Sequence, residues 1–171
     1  AGWRGRVEGY SVMLGGGVHM VDLMIWCLGE RPASVTASGN RIATAGTGFR
    51  HEDYDAATFA FPSGAIGRVT ANFGCVHRHQ HVVRVFGTRA TVVSDDRGAR
   101  ISRERDPAEG RVLALSPLPS SKGALVPAFV DAALGVAPQD PGPRHELDVV
   151  AACLAADRSM RTGAPVEIDY P

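Results

Sequence analysis

Residues Gly15 to Glu30 read GGGVHMVDLMIWCLGE, and this stretch decides the fold. Three glycines lead into an unbroken run from Val18 to Leu28, which ends at Gly29 with Pro32 close behind. Helices commonly stop at a glycine followed by a proline, so the pattern predicts a helix over Val18–Leu28. Val18, Val21, Ile25 and Leu28 fall on one stripe of it, and Met20, Met24 and Cys27 fill the next. Most of the circumference is apolar, and the helix is expected to sit inside the domain. His19, Asp22 and Trp26, at i, i+3 and i+7, share the remaining face.

Downstream the hydrophobic period changes to two. Ser34–Gly39, Asp55–Phe61, Ala65–Phe73, His81–Gly87 and Arg89–Asp96 read as strands separated by Gly, Asn, Asp and Pro. Phe61-Pro62-Ser63-Gly64 and Phe86-Gly87-Thr88 read as tight turns. Connections this short join antiparallel neighbours, because a parallel crossover needs about a dozen residues or more. Helical patterns return at Ala128–Leu134 and from Pro143 through Arg161, closed by Gly163 and Pro165, and Val166–Tyr170 adds a short last strand. The expected fold is α+β, an open, mainly antiparallel β-sheet with helices packed on one face, forming a single domain over residues 1–171. The open face of such a sheet exposes an apolar patch, so a homo-dimer or tetramer through that face is expected.

The 18 basic and 18 acidic residues give a formal net charge of +0. Their even spread leaves no basic stripe for a phosphate backbone, which argues against nucleic acid as a partner. No apolar run approaches the ~20 residues that span a bilayer, and the opening AGWRGR has no signal-peptide pattern. No membrane partner and a cytoplasmic location are therefore expected. Cys27, Cys75 and Cys153 are too few and too far apart for a disulfide framework or a zinc site. Lys122 is the only lysine, which limits chemistry that needs a lysine base or Schiff base.

In HRHQH, His77, His79 and His81 would share one face of a strand, as metal ligands can. No carboxylate with ligand spacing accompanies them, and a solvated sheet face is the plainer reading, so no metal is expected. Asp53 with Asp55, and Asp95 with Asp96, read as turn residues. Gly15–Gly17 do not form a dinucleotide fingerprint, which needs GxGxxG directly after a strand, and neither a P-loop nor a GxSxG elbow occurs elsewhere.

Two ionisable groups on an otherwise apolar helix must be paired, hydrated or open to a cavity. His19 and Asp22 are therefore either a satisfied structural pair or a chemical site. In the second case His19 is suited to general acid or base work, because imidazole exchanges protons readily near neutral pH.

GGGVHMVDLMIWCLGE, DAATFAFPSGAIGRVTANF, VRVFGTRATVVSDDRG and CLAADRSMRTGAPVEIDY, in that order over nearly the whole chain, resemble the C-terminal domain of the Gfo/Idh/MocA oxidoreductases, the glucose-fructose oxidoreductase and inositol dehydrogenase family. The resemblance implies an N-terminal Rossmann domain, absent from this chain, that binds NAD or NADP in the complete protein; no cofactor is expected on this chain. It implies hydride transfer to or from a sugar, polyol or related hydroxy compound, with the isolated chain inactive. The family's Asp-x-Gly-x-His motif falls on Gly15, Gly16, Gly17, Val18 and His19. His19 is thus the expected catalytic residue, while Gly15 stands where the motif has aspartate. Asp22, together with Trp3, Arg4 and Tyr10 from the entering segment, is the expected substrate-binding set. The alternative is a non-catalytic, self-associating module derived from that domain, which Gly15 would suit.

Overall fold

The computed structural model describes residues 3–105, 110–114, 121–137 and 143–171; the side chains of Arg4, Lys122 and Pro143 lie outside that description. The chain forms two units, Ala1–Val76 with Asp140–Pro171, and His77–Gln139.

In the first unit a 3-10 turn, Trp3–Arg6, and a π-helical turn, Met13–Gly17, lead into helix α1, Val18–Leu28. Its bounds are those expected from the sequence. It stops at Gly29, which adopts φ 67° and donates its N–H to Ile25 O at 2.9 Å, a left-handed cap that glycine takes without steric cost. Strands β1 (Ser34–Asn40), β2 (Tyr54–Ala60) and β3 (Ile66–Asn72) follow, and the chain later returns as helix α3, Pro143–Thr162, and strand β8, Val166–Glu167. The strand order is β3-β2-β1-β8, antiparallel throughout.

Side chains alternate across a strand, so Val35 and Ala37 of β1, Ala57 and Phe59 of β2, and Val69 and Ala71 of β3 all reach the same buried face. Val21 and Ile25 of α1 and Val149, Ala152, Cys153 and Ala156 of α3 close over that face as one core. Fully burying a side chain such as Phe59 stabilises by about 1.5–3 kcal/mol. Ser159 ties α3 to the sheet: its buried Oγ accepts the Ala37 N–H at 2.9 Å and donates to Ala164 O at 2.7 Å. The Phe61–Gly64 turn closes through Gly64 N–H to Phe61 O at 2.9 Å, and the Ser63 hydroxyl donates to the Glu30 carboxylate.

The expectation that α1 sits inside the domain is corrected. Val21 and Ile25 are buried, but Trp26 is 70% exposed and His19, Asp22, Cys27 and Leu28 are exposed too. One helix layer on one sheet buries fully only the stripe that faces the sheet and its neighbouring helix, so Met20 and Met24 pack half-buried at the margin of the core while Cys27, Leu28 and the polar edge stay outside.

The second unit holds strands β4 (Val83–Phe86), β5 (Thr91–Asp95), β6 (Gly98–Ser102) and β7 (Arg111–Leu113) in the order β4-β5-β6-β7, again antiparallel. A 3-10 turn, Lys122–Leu125, and helix α2, Val126–Ala133, follow. The α+β class with open antiparallel sheets holds, but the strands form two four-stranded sheets where one was expected. The β5–β6 turn is held by Asp95, whose carboxylate accepts the Arg97 N–H at 2.9 Å and an Arg100 N–H at 2.6 Å. The Arg100 guanidinium, then the Arg97 amide, hold this carboxyl below the usual range. HRHQH lies before β4 and outside any strand, so the shared face assumed for its three histidines is not formed; His79 and His81 instead meet edge to face at 4.9 Å.

Candidate functional site

The exposed edge of α1 carries His19 and, one turn on, Asp22. Asp22 does not stand alone. His145, in the first turn of α3, places Nε2 2.5 Å from Asp22 Oδ1. The imidazole is largely covered, at 16% exposure, and the carboxylate is open, at 52%. One helix thus supplies an imidazole and a carboxylate to an open surface, and a second helix, packed beside it, grips the carboxylate from behind.

The entering segment distributes the other expected residues. Trp3 lies in the first 3-10 turn and is 67% exposed; the Arg4 side chain is outside the described residues. Tyr10 is half-buried, its ring meeting His51 edge to face at 5.5 Å. Its hydroxyl fills the space beside Gly15: a Cβ on Gly15 would come 1.9 Å from Tyr10 Oη and 2.4 Å from Cζ. A side chain at position 15 and the phenol of Tyr10 exclude each other, which is a physical reason for glycine where the motif has aspartate.

A second acidic group lies beneath the π-helical turn. Asp55 was expected in a turn; it is instead a core-facing residue of β2 and fully buried. Burial first, and then the Asp157 carboxylate of α3, push its carboxyl up to about 7, against a smaller opposing pull from the Met13 amide. Asp157 is itself raised by burial, while hydrogen bonding to Ser11 and the charge of Arg161 act the other way. Burial and, after it, Asp157 lift the Cys153 thiol to about 12, so Cys153 is an inert core residue. Asp53, also expected in a turn, is buried and anchors the loop after β1 by accepting the Thr44 N–H at 2.6 Å and its hydroxyl at 2.9 Å. It borders a shallow depression of about 240 Å³ with Asn40, Tyr54, Asn72 and Cys75. Among the described residues no three or more His, Cys, Asp or Glu side chains cluster as a metal site would require, and no helix is long and apolar enough to cross a membrane.

Sequence reasoning missed His145 and the buried acids. The Asp22–His145 contact spans 123 positions, and no local spacing reports it. Asp55 did leave a signal, since Asp55, Ala57 and Phe59 alternate onto one strand face.

Residues 1–93, more than half of the chain, match the model of the GFO/IDH/MocA C-terminal domain. The chain belongs to the GFO/IDH/MocA family. No curated protein sequence matches it. Among solved structures, it is similar to the WlbA dehydrogenase of Bordetella pertussis in complex with NADH and UDP-GlcNAcA, at 20% identity and TM-score 0.75, covering 100% of this chain and 50% of that one. It is similar to the aldose-aldose oxidoreductase of Caulobacter crescentus complexed with glycerol, at 20% identity and TM-score 0.73 over 89% and 46% of the two chains. A third match is myo-inositol 2-dehydrogenase of Lactobacillus plantarum, at 16% identity and TM-score 0.70 over 98% and 51%. At these identities the structural likeness speaks for the fold, and the chain spans about half the length of each of these three structures. The described residues do not form the βαβ dinucleotide-binding unit: every strand pair is antiparallel, and Gly15–Gly17 lie in a π-helical turn with no strand before them.

Proposed function

We propose that this chain is the substrate-side domain of an NAD- or NADP-dependent oxidoreductase acting on a CH–OH group of a sugar, polyol or related hydroxy compound. The observation that carries the proposal is the open edge of α1. There His19 and Asp22 stand a turn apart and exposed, on a helix whose Val21 and Ile25 are sunk in the core. Family membership supports the same reading, as do two similar enzymes, one solved with NADH and a nucleotide sugar and one with glycerol.

In the complete protein a bound nicotinamide would supply the hydride acceptor or donor. His19 takes the hydroxyl proton on a ring nitrogen as the carbinol becomes a carbonyl and returns it in the reverse direction. Asp22 accepts a hydrogen bond from a second substrate hydroxyl. The buried Tyr10 hydroxyl shapes the turn that leads to His19, in the space a residue 15 carboxylate would otherwise fill, and the exposed Trp3 borders the substrate from the entering segment.

Self-association is the second part of the proposal. In the second unit Phe86 of β4 and Val112 of β7 are each more than 60% exposed, which supports a homo-dimer or tetramer through an uncovered sheet face.

Calorimetry on the purified 171-residue chain tests the division of labour. No heat of binding is expected with NAD or NADP, and no turnover of sugars when either is supplied. Tight binding of NAD(P), or turnover by this chain alone, overturns the assignment.

A further inference from the structure

We infer that His145 is a positioning residue: by holding one oxygen of Asp22 it fixes the other as an acceptor for a polyol hydroxyl beside His19. The inference rests on the substrate-side reading above and extends it to a residue on a different helix, far away in sequence.

The geometry has three parts. His145 Nε2 and Asp22 Oδ1 are 2.5 Å apart, within hydrogen-bond reach. The two side chains are unequally exposed, 16% for His145 and 52% for Asp22, so the imidazole is the fixed partner and the carboxylate the group offered to solvent. With Nε2–H donating to Oδ1, the half-exposed carboxylate keeps Oδ2 as its second acceptor oxygen. His19 precedes Asp22 by three residues on α1, a spacing that puts their Cβ atoms about 5–6 Å apart, and neighbouring hydroxyls of one polyol can reach both. An exposed aspartate on a helix otherwise samples several staggered rotamers, and a ligand would have to order it on binding. His145 removes that cost in advance.

Side-chain NMR on the 171-residue chain tests this without any ligand. The three-bond couplings between the Asp22 backbone and its carboxyl carbon should report a single χ1 rotamer. They should average in His145→Ala and return to one rotamer in His145→Gln, whose amide N–H replaces Nε2–H. Neutral His145 should carry its proton on Nε2, a measurement on the unmodified chain that stands even if His145→Ala does not fold. Rotamer averaging of Asp22 in the unmodified chain, an unchanged rotamer in His145→Ala, or a neutral His145 protonated on Nδ1 overturns the inference.

A second arm adds myo-inositol. Binding, read from the amides around His19 and Asp22, should weaken about tenfold in His145→Ala, the size of one hydrogen bond to a charged group, and recover in His145→Gln. If myo-inositol moves no resonance in the unmodified chain while the Asp22 rotamer behaves as stated, the substrate reading fails for this polyol and the positioning role stands.

Discussion

The first unit and the second are both antiparallel four-stranded sheets with helical segments, yet they hold together differently. In the first, β1, β2 and β3 turn one face inward and α1 with α3 seal it, so Phe59, Val21, Val35 and Cys153 are almost wholly buried. In the second, Ala99 is the buried apolar residue among those described, and α2 buries none. The same strand chemistry therefore makes a self-sufficient core in one place and an uncovered surface in the other. What decides is whether a helix with an apolar stripe is laid over the sheet.

Truncating a core residue should show the largest difference between the units. Phe59→Ala is expected to cost about 3–5 kcal/mol in urea unfolding, whereas Phe86→Ala, on the exposed β4, should stay within about 0.5 kcal/mol in the monomer. Equal losses would mean that the second unit has a core of its own.

The pH dependence should separate them next. Asp55 has an ordinary value of 3.8 and is raised to about 7 in the folded chain, so between those values the folded state keeps a proton the unfolded state has released. Its stabilisation is complete below about pH 4 and is lost as pH rises to about 7, with a slope of up to roughly 1.4 kcal/mol per pH unit. Asp157 is raised too and acts in the same direction, with Glu52 and Asp53 adding like charge around Asp55. Asp55→Asn should flatten the slope. Asp95 of the second unit has the opposite sign: it is lowered, so its contribution is lost as pH falls. An unchanged slope in Asp55→Asn would remove the buried acid from the account.

A smaller effect is expected at the turn into α1. Gly15→Ala forces the Tyr10 ring aside and should cost about 1–3 kcal/mol; the same substitution made on Tyr10→Ala should cost little, a non-additivity that a double-mutant cycle reads directly. The least effect belongs to the second unit's surface. Asp96→Ala breaks an exposed 2.8 Å pair with Arg78 and should change stability by no more than about 1 kcal/mol.

Much of the fold was legible because its signals are local. Gly29 stops α1 where expected, the Phe61–Gly64 turn sets the β2–β3 hairpin, and Pro143 and Gly163 bracket α3. Strands β6 and β7 were not legible: β6 carries Gly98 and Arg100 among few apolar residues, and β7 is three residues long and opens on Arg111, so neither shows the apolar alternation from which strands are read. The division into two sheets depends on which strand edges pair, a long-range choice that no local spacing carries. At the site, the spacing of His19 and Asp22 gave their shared face, but the apolar count around α1 suggested a sunken helix, because residues left at the solvent edge, such as Trp26, Cys27 and Leu28, look the same in sequence as those that meet a core. His145 had no signal at all, since its partner lies on a helix from the other end of the unit.

The most direct test of the central claim, that the α1 edge is where the proton of a hydroxy substrate is handled, is turnover by the complete gene product with His19 replaced by asparagine, assayed with NAD and NADP against a panel of sugars and polyols. Loss of a positioned acid–base group predicts a drop in kcat of about 100-fold or more, with KM little changed. A His19→Asn protein that turns over as fast as its parent would contradict the account.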